Sequence, residues 1–159
     1  MSRIVLVLLA STVAGCSGNL DVEKVLKVTD VHTGWYDAGI QADGKNKLVP
    51  SISLRLQNVS SDPVRSVQLV AIFRQVNEPN VAWGEHFARA IDRDGLAPGA
   101  RTGPIVLRSN LGYTGTEPRV QMLQNRQFVD AKVEIFGRHG SRRPAKMGEY
   151  TLDRQLLTQ

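Results

Sequence analysis

The residue with the most distinctive chemistry in this chain is Cys16, its only cysteine. A lone thiol can act as a nucleophile, bind a metal or receive a covalent group, and it cannot form a disulfide within its own chain. Cys16 directly follows the tripeptide Val-Ala-Gly, at the end of an apolar run over residues 4–10 that Arg3 precedes. A positive start, a short apolar core and small residues before a cleavage point are typical of a secretory signal peptide.

Residues 13–16 resemble the lipobox of bacterial lipoproteins in its Val-Ala-Gly-Cys variant. The resemblance implies that the signal peptide of residues 1–15 is removed and that Cys16 becomes the lipid-carrying first residue. Each buried methylene of an acyl chain contributes about 0.8 kcal/mol, so several chains would hold the protein on a bilayer essentially permanently. Aspartate after the cysteine favours inner-membrane retention in the enterobacterial pattern. Ser17 therefore implies the periplasmic face of the outer membrane.

Two simpler interpretations of the N-terminus compete with lipidation. A membrane-spanning helix needs about 20 apolar residues, whereas this run reaches Ser11 and Thr12 after residue 10. An ordinary signal peptide with a free cysteine would require the sole thiol to fall at the lipobox position by chance. We therefore predict an envelope protein whose first partner is the membrane, with no thiol left for disulfides, zinc or catalysis.

Length and charge limit the remaining function classes. The 159 residues suit one domain with a real core, here predicted as a tether over residues 16–23 and a folded domain over residues 24–159. The tether is too short to cross the periplasm. A net charge of +5 permits weak attraction to anionic lipid, lipopolysaccharide or cell wall. Nucleic acid is not expected as a partner, because the basic residues are scattered and the compartment is wrong.

The basic segment of residues 138–146 is the best candidate for a binding site. It holds four cations and His139 within one connection; the cations are Arg138, Arg142, Arg143 and Lys146. Guanidinium forks fit phosphate and carboxylate groups, so the segment predicts binding of lipid A, a phospholipid headgroup or an acidic protein surface. The alternative is a solvated hairpin tip whose cations keep edge strands from pairing.

Other motifs point away from metal and catalytic chemistry. His32, His86 and His139 are far apart and lack the His-x-His or His-Glu-x-x-His spacing of zinc sites. No Gly-x-Ser-x-Gly elbow occurs, and the glycines of residues 110–115 lack a Walker lysine. Residues 92–94 lack the other ligands of a calcium loop. We expect no catalytic residue, no metal and no cofactor.

Two further features have a structural and a functional interpretation. Asn58-Val59-Ser60 matches the glycosylation sequon, but in a bacterial lipoprotein it indicates turn chemistry. Trp35, Tyr36 and Trp83 would form an exposed patch for glycan or protein, or fill the core, which is the more frequent role of such residues in sandwiches.

Alternating polar and apolar residues predict strands through most of the chain. Residues 51–57 alternate without error, as a half-buried strand does. Residues 64–75 place apolar side chains on both faces, which indicates a central strand. Other strands are expected near residues 26–36, 81–91, 105–107, 128–136 and 150–156. Within residues 116–127, Thr116 suits a helix cap and Val120, Leu123 and Gln127 fall at helical spacing, so a short helix or helical turn is expected.

The middle of the chain also carries a fold resemblance. Residues 54–64 followed by residues 67–73 resemble the start of FxLYD-like and related immunoglobulin-like domains of bacterial envelope proteins, where a strand ends in an Asn-x-Ser turn. Leu-Ala-Pro-Gly at residues 96–99 resembles their Leu-x-Pro-Gly turn. The resemblance and the strand count imply an all-β fold, an immunoglobulin-like antiparallel β-sandwich of about seven strands with one short helix or helical turn. Residues 113–128 depart from that pattern.

Together these features predict a non-enzymatic, lipid-anchored interaction or accessory module of the bacterial cell envelope, with an envelope protein as partner. One alternative is a lipoprotein that binds a lipid or an anionic glycan between its sheets or at residues 138–146. The other is an enzyme whose unfamiliar site is built from Asp, Arg and His on loops.

Overall fold

A computed structural model describes residues 20–157; the predicted signal peptide, Cys16 and the first part of the predicted tether lie outside the described residues. The described chain forms eight strands and two short helices. Their order is α1 (Val22–Val25), β1 (Leu26–Ile40), β2 (Asn46–Asn58), β3 (Val67–Gln75), β4 (Ala82–Ile91), β5 (Ile105–Arg108), β6 (Tyr113–Gly115), α2 (Arg119–Gln124), β7 (Ala131–His139) and β8 (Ala145–Thr151).

The strands form two antiparallel sheets that enclose one core. Sheet I has the order β1-β2-β5, with β6 also paired to β2, and sheet II has the order β4-β3-β7-β8. Buried apolar side chains from both sheets form a single cluster. The predicted all-β antiparallel sandwich is confirmed, with the three-residue strand β6 in the segment where the sequence departs from the resemblance.

Strand β3 shows how the sequence pattern produces the core. Its alternate residues are fully buried, while the residues between them are partly exposed; the buried ones are Val67, Leu69, Ala71 and Phe73. Because β3 lies between β4 and β7, its central position is confirmed. Strand β7 buries Ala131, Val133 and Ile135 in the same way, as predicted.

Three boundaries differ from the predictions. Strand β1 continues past Tyr36 to Ile40, because the turn over residues 41–45 closes a longer hairpin with β2. Strand β7 runs from Ala131 to His139 and β8 from Ala145 to Thr151, so the final hairpin has a shorter loop than expected. Leu156, predicted in the last strand, instead forms an isolated bridge with Trp35.

The helices are short and contribute mainly core side chains. Helix α2 confirms the predicted helical segment, but it buries Met122 and Leu123 and leaves Val120 56% exposed. It begins after Pro118 without a side-chain cap, so the predicted Thr116 cap was wrong. Of the three residues predicted at helical spacing, Leu123 is buried, Val120 is exposed and Gln127 lies beyond the end of the helix. Helix α1 packs on β7 and β8 and buries Val22 in the core, so the folded part begins before residue 24.

Trp35 and Trp83 belong to the core and do not form a surface patch with Tyr36. Trp35 is completely buried, and its ring lies edge-on to Trp83 and Phe128, with centroid separations of 5.9 and 4.5 Å. Such contacts add about 0.5–1.5 kcal/mol each beyond the area that they bury. Tyr36 follows Trp35 on the strand, so its side chain lies on the opposite, solvent-facing side of sheet I.

Asn58 connects the end of β2 to two turns. Its side chain is fully buried, and its Nδ2 donates to the carbonyl oxygens of Asp62 and Leu96, both at 2.8 Å. Its Oδ1 accepts from the backbone N–H of Ser60 at 2.9 Å and from the Ser60 hydroxyl at 2.7 Å. Because both amide hydrogens are used and no surface is left, Asn58 is a turn residue and not a glycan acceptor.

We expect Asn58→Asp to lower the free energy of unfolding by at least about 2 kcal/mol, because a carboxylate would face two carbonyl oxygens without donating. Urea unfolding of the protein beginning at residue 17, followed by circular dichroism, measures the change. The control Ser60→Ala removes one accepted bond and should cost about 1 kcal/mol. An Asn58→Asp variant as stable as the unmodified protein would contradict this assignment.

Arg154 ties the C-terminal segment to α2 and the loop before β7. Its guanidinium contacts both carboxylate oxygens of Asp130 at 2.7 and 2.8 Å. It also donates to the backbone carbonyls of Leu123, Asn125 and Phe128. The hydrogen bond from Arg154 holds the pKa of the Asp130 carboxyl below its usual value.

This lowered pKa predicts an acid-sensitive contribution to stability. A carboxyl whose pKa is lower in the folded state stabilises the fold above its unfolded pKa, and that contribution is lost as pH falls through the folded pKa. The stability difference between the unmodified protein and Asp130→Asn should therefore be largest above about pH 5 and shrink below it. Urea unfolding across this range tests the trend. Glu78→Gln, at an exposed turn position, is the control, and a difference independent of pH would refute the pairing.

Candidate functional site

The structure distributes the cations of the basic segment instead of gathering them. Arg138, expected in a loop, lies on β7 and its guanidinium donates to the Gln68 side chain of β3. Arg142 lies in the final hairpin and contacts the Asp21 carboxylate at 2.5 Å. Each side chain therefore has its own partner on a different part of the fold.

Lys146 is also engaged by neighbouring acids. Its Nζ lies 2.8 Å from the Glu134 carboxylate and 2.6 Å from that of Glu149. Hydrogen bonds to Glu134 and then Glu149 hold the pKa of Lys146 above its usual value.

Arg143 is exposed and has no ion pair within residues 20–157. It borders a depression of about 210 Å³ beside residues 20–23, together with Arg142 and His139. The structure thus does not bring the four predicted site residues into one cluster, although Arg142 and Arg143 border the same depression.

The three histidines occupy separate places. The Nδ1 atom of His86 lies 2.9 Å from the Arg108 carbonyl oxygen, and this contact connects β4 of sheet II to β5 of sheet I. His32 lies on the outer face of sheet I, and His139 lies near α1. Among the residues that the structure describes, no three His, Cys, Asp or Glu side chains are grouped closely enough to hold a metal ion.

The outer face of sheet I carries a groove that we call the sheet I groove. It has a volume of about 500 Å³. Cross-strand pairing brings Gly34, Ser51 and Arg108 into one row and His32, Ser53 and Val106 into the next. Small side chains in the middle of both rows leave a channel between bulkier neighbours. Its other lining residues are Pro104, Gln155, Leu156 and Leu157.

The C-terminal segment forms one wall of the sheet I groove. Backbone bonds of 2.8 and 2.9 Å join Trp35 to Gln155 and Leu157. A side chain at Gly34 would bring its Cβ within 2.8 Å of the Gln155 carbonyl oxygen and 2.9 Å of the Leu157 side chain. Glycine at this position therefore allows the segment to lie directly against the sheet.

Arg108 places a positive charge at the groove. Its guanidinium lies over the Tyr36 ring, 3.6 Å from the centroid, in a cation–π contact. Its Nε is buried and has no hydrogen-bond partner. No acidic residue of the described chain forms an ion pair with Arg108, and none lines the groove.

The outer face of sheet II carries an exposed apolar surface. We call it the apolar strip and define it by Val70, Ile72, Phe87, Phe136 and Pro144, which surround a shallow depression of about 360 Å³. Phe87 is 65% exposed. The apolar residues on both faces of β3 predicted a central strand, and within residues 20–157 no part of the chain covers the strip.

Opposite charges border the two sides of the apolar strip. Strand pairing places Arg89 and Arg138 beside Gln68 on one side. It places Glu85 and Glu134 beside Ile72 on the other, with Glu149 next to Glu134. Glu134 is paired with Arg74 and Lys146, and Glu149 with Lys132 and Lys146. Arg89 and Glu85 are both exposed and make no ion pair within residues 20–157.

Comparisons with protein-family models, with curated proteins and with solved structures found no match to this chain. Over residues 20–157, neither helix has the length or apolar character needed to cross a bilayer. The groove and the strip therefore have to be interpreted from their own chemistry.

Neither surface was identified from the sequence. The groove combines residues from β1, β2, β5 and the C-terminal segment, which are far apart along the chain. The one available signal was the pair Ser51 and Ser53 on a strand whose other face is leucine-rich, and such a pattern also describes an ordinary solvated face.

Proposed function

We propose that this protein is a non-enzymatic, lipid-anchored interaction module of the bacterial cell envelope, and that it associates with a second copy of itself through the apolar strip. The supporting observation is the strip, an uncovered apolar face with Phe87 65% exposed at its edge. Exposed contiguous apolar surfaces bordered by polar residues mark interaction sites. Removing such apolar surface from water contributes about 25 cal/mol per Å² to the free energy of association.

The charges that border the strip favour a second copy as its occupant. A two-fold axis that runs along the strip, across the strands, would place the positive border of each copy over the negative border of the other. Arg89 would then face the Glu85 of the other copy. An axis along the strands would instead oppose arginine to arginine, so charge complementarity selects one arrangement.

The lipid on Cys16 would strengthen this association. Anchoring confines both copies to one membrane surface, which raises their effective concentration without adding any contact. A strip too small to hold a tight dimer in solution would therefore be large enough to hold one between two copies anchored to the same membrane. This links the proposed anchor to the proposed interface in one function.

Charge exchange tests the interface. Glu85→Arg and Arg89→Glu should each weaken dimerisation about tenfold, a loss of about 1.4 kcal/mol, because each opposes like charges. The double variant should restore the dissociation constant to near the original value. These two positions are four residues apart on one strand, so they do not pair within a single chain. Sedimentation equilibrium of the protein beginning at residue 17 measures each constant.

Two controls complete the experiment. Glu78→Arg makes the same charge change in the turn after β3, away from the strip, and should leave dimerisation unchanged. Phe87→Ser should abolish dimerisation with circular dichroism unaltered, because Phe87 is already exposed. An unmodified protein that stays monomeric at millimolar concentration, or a double variant that is not rescued, would rule out self-association through the strip.

The anchor is tested separately. The full-length chain expressed in a Gram-negative host should fractionate with membranes and enter the detergent phase on Triton X-114 partition. Intact-mass analysis should show residues 1–15 removed and lipid added. Cys16→Ala should abolish the lipid mass. Recovery of the unmodified protein in the periplasmic fraction, cleaved but without lipid, would refute the anchor and leave the strip experiment valid.

A further inference from the structure

We infer that the sheet I groove binds an amphipathic anion, a molecule that carries a phosphate or carboxylate group on an apolar body. The groove lies on the opposite sheet from the apolar strip, so this inference does not depend on self-association.

Arg108 supplies the charge that would recognise the anionic group. Its backbone is held by pairing to Ser51 and by His86, and its guanidinium is held over the Tyr36 ring at 3.6 Å. A cation fixed in this way loses little conformational entropy when a ligand binds. A guanidinium edge donates two parallel hydrogen bonds to phosphate or carboxylate oxygens.

The Nε atom of Arg108 is buried and has no hydrogen-bond partner, a condition that three further side-chain atoms of the described chain share. A ligand in the groove does not reach this atom. The charge of Arg108 bears on the groove through the position of its side chain in the lining and through the absence of an acidic partner within residues 20–157.

Further donors lie in the next row of the sheet. Ser53 pairs with His32 on β1 and with Val106 on β5, beside the row that contains Arg108. Neither the Ser53 hydroxyl nor the His32 ring has a hydrogen bond to the described protein. Both are therefore available to an oxyanion or to a polar group next to it.

The apolar part of the groove indicates that the anion carries an apolar body. Pro104, Val106, Leu156 and Leu157 line the groove, and Val106 is 43% exposed. A volume of about 500 Å³ lies within the range of small-molecule sites, about 300–1,000 Å³, and is much larger than an inorganic ion requires. Acyl phosphates, phospholipids and long-chain carboxylates share this chemistry.

Dodecyl phosphate below its micelle concentration is the direct probe, measured by isothermal titration with the protein beginning at residue 17. We expect saturable one-to-one binding that Arg108→Gln weakens at least tenfold. Arg93→Gln removes an exposed arginine remote from the groove and should change the affinity less than twofold. Ser53→Leu keeps the charge of Arg108 but fills the floor of the sheet I groove, so it should abolish binding. Circular dichroism of each variant establishes that it is folded.

Chemical controls distinguish the contribution of the anionic group to affinity from that of the alkyl chain. Inorganic phosphate should bind at least a hundredfold more weakly than dodecyl phosphate. Dodecyltrimethylammonium carries the same chain with the opposite charge and should not bind. Equal affinity for the cationic probe, unchanged affinity in Arg108→Gln, or no saturable binding of dodecyl phosphate would overturn the inference.

A vesicle experiment distinguishes two sources of the ligand. Cosedimentation with phosphatidylglycerol vesicles that is lost in Arg108→Gln would support a membrane phospholipid as the ligand. Binding of free dodecyl phosphate without Arg108-dependent cosedimentation would support a diffusible amphipathic anion. Cosedimentation that depends on Arg143 instead would overturn the groove assignment and return the anion site to the basic hairpin.

Discussion

The buried amide of Asn58 fixes the point where the chain leaves one sheet for the other. It ends β2 of sheet I, and its four side-chain hydrogen bonds hold the turn that leads toward β3 of sheet II together with the turn at residues 96–99. A buried amide tolerates few alternative arrangements, because every unpaired donor costs free energy. The junction therefore joins the end of sheet I to the segment that leads into sheet II and to the turn that contains Leu96.

The two outer faces differ because the outward-facing residues of their strands are of different types, while the inward-facing residues of both sheets share one core. On sheet I the outward residues of β2 are small where they meet Gly34 and Arg108, which leaves the groove. On sheet II the outward residues of β3 are apolar where they meet Phe87 and Phe136, which leaves the strip. The surfaces lie on opposite sides of the sandwich, so a ligand in the groove and a second copy on the strip would not compete.

The basic segment illustrates how sequence proximity differs from spatial convergence. Successive residues of a strand point to opposite faces, so neighbouring cations separate once β7 and β8 form. Arg142 then holds the start of the described chain through Asp21, and Lys146 joins Glu134 and Glu149 on sheet II. Cations that are close together in the sequence therefore have separate partners in the fold. The less conspicuous Arg108 forms no ion pair with an acidic residue of the described chain.

Local patterns were enough to predict the fold class, the central position of β3, the buried faces of β3 and β7 and the short helix near residue 120. These features follow from alternation or helical spacing within a few residues, which the backbone geometry of each element imposes. The groove and the strip could not be predicted in this way. They depend on which residues of distant strands lie side by side, as when Ser51 pairs with both Gly34 and Arg108. Pairing register is a non-local property, which the burial of one face of each strand in the shared core specifies.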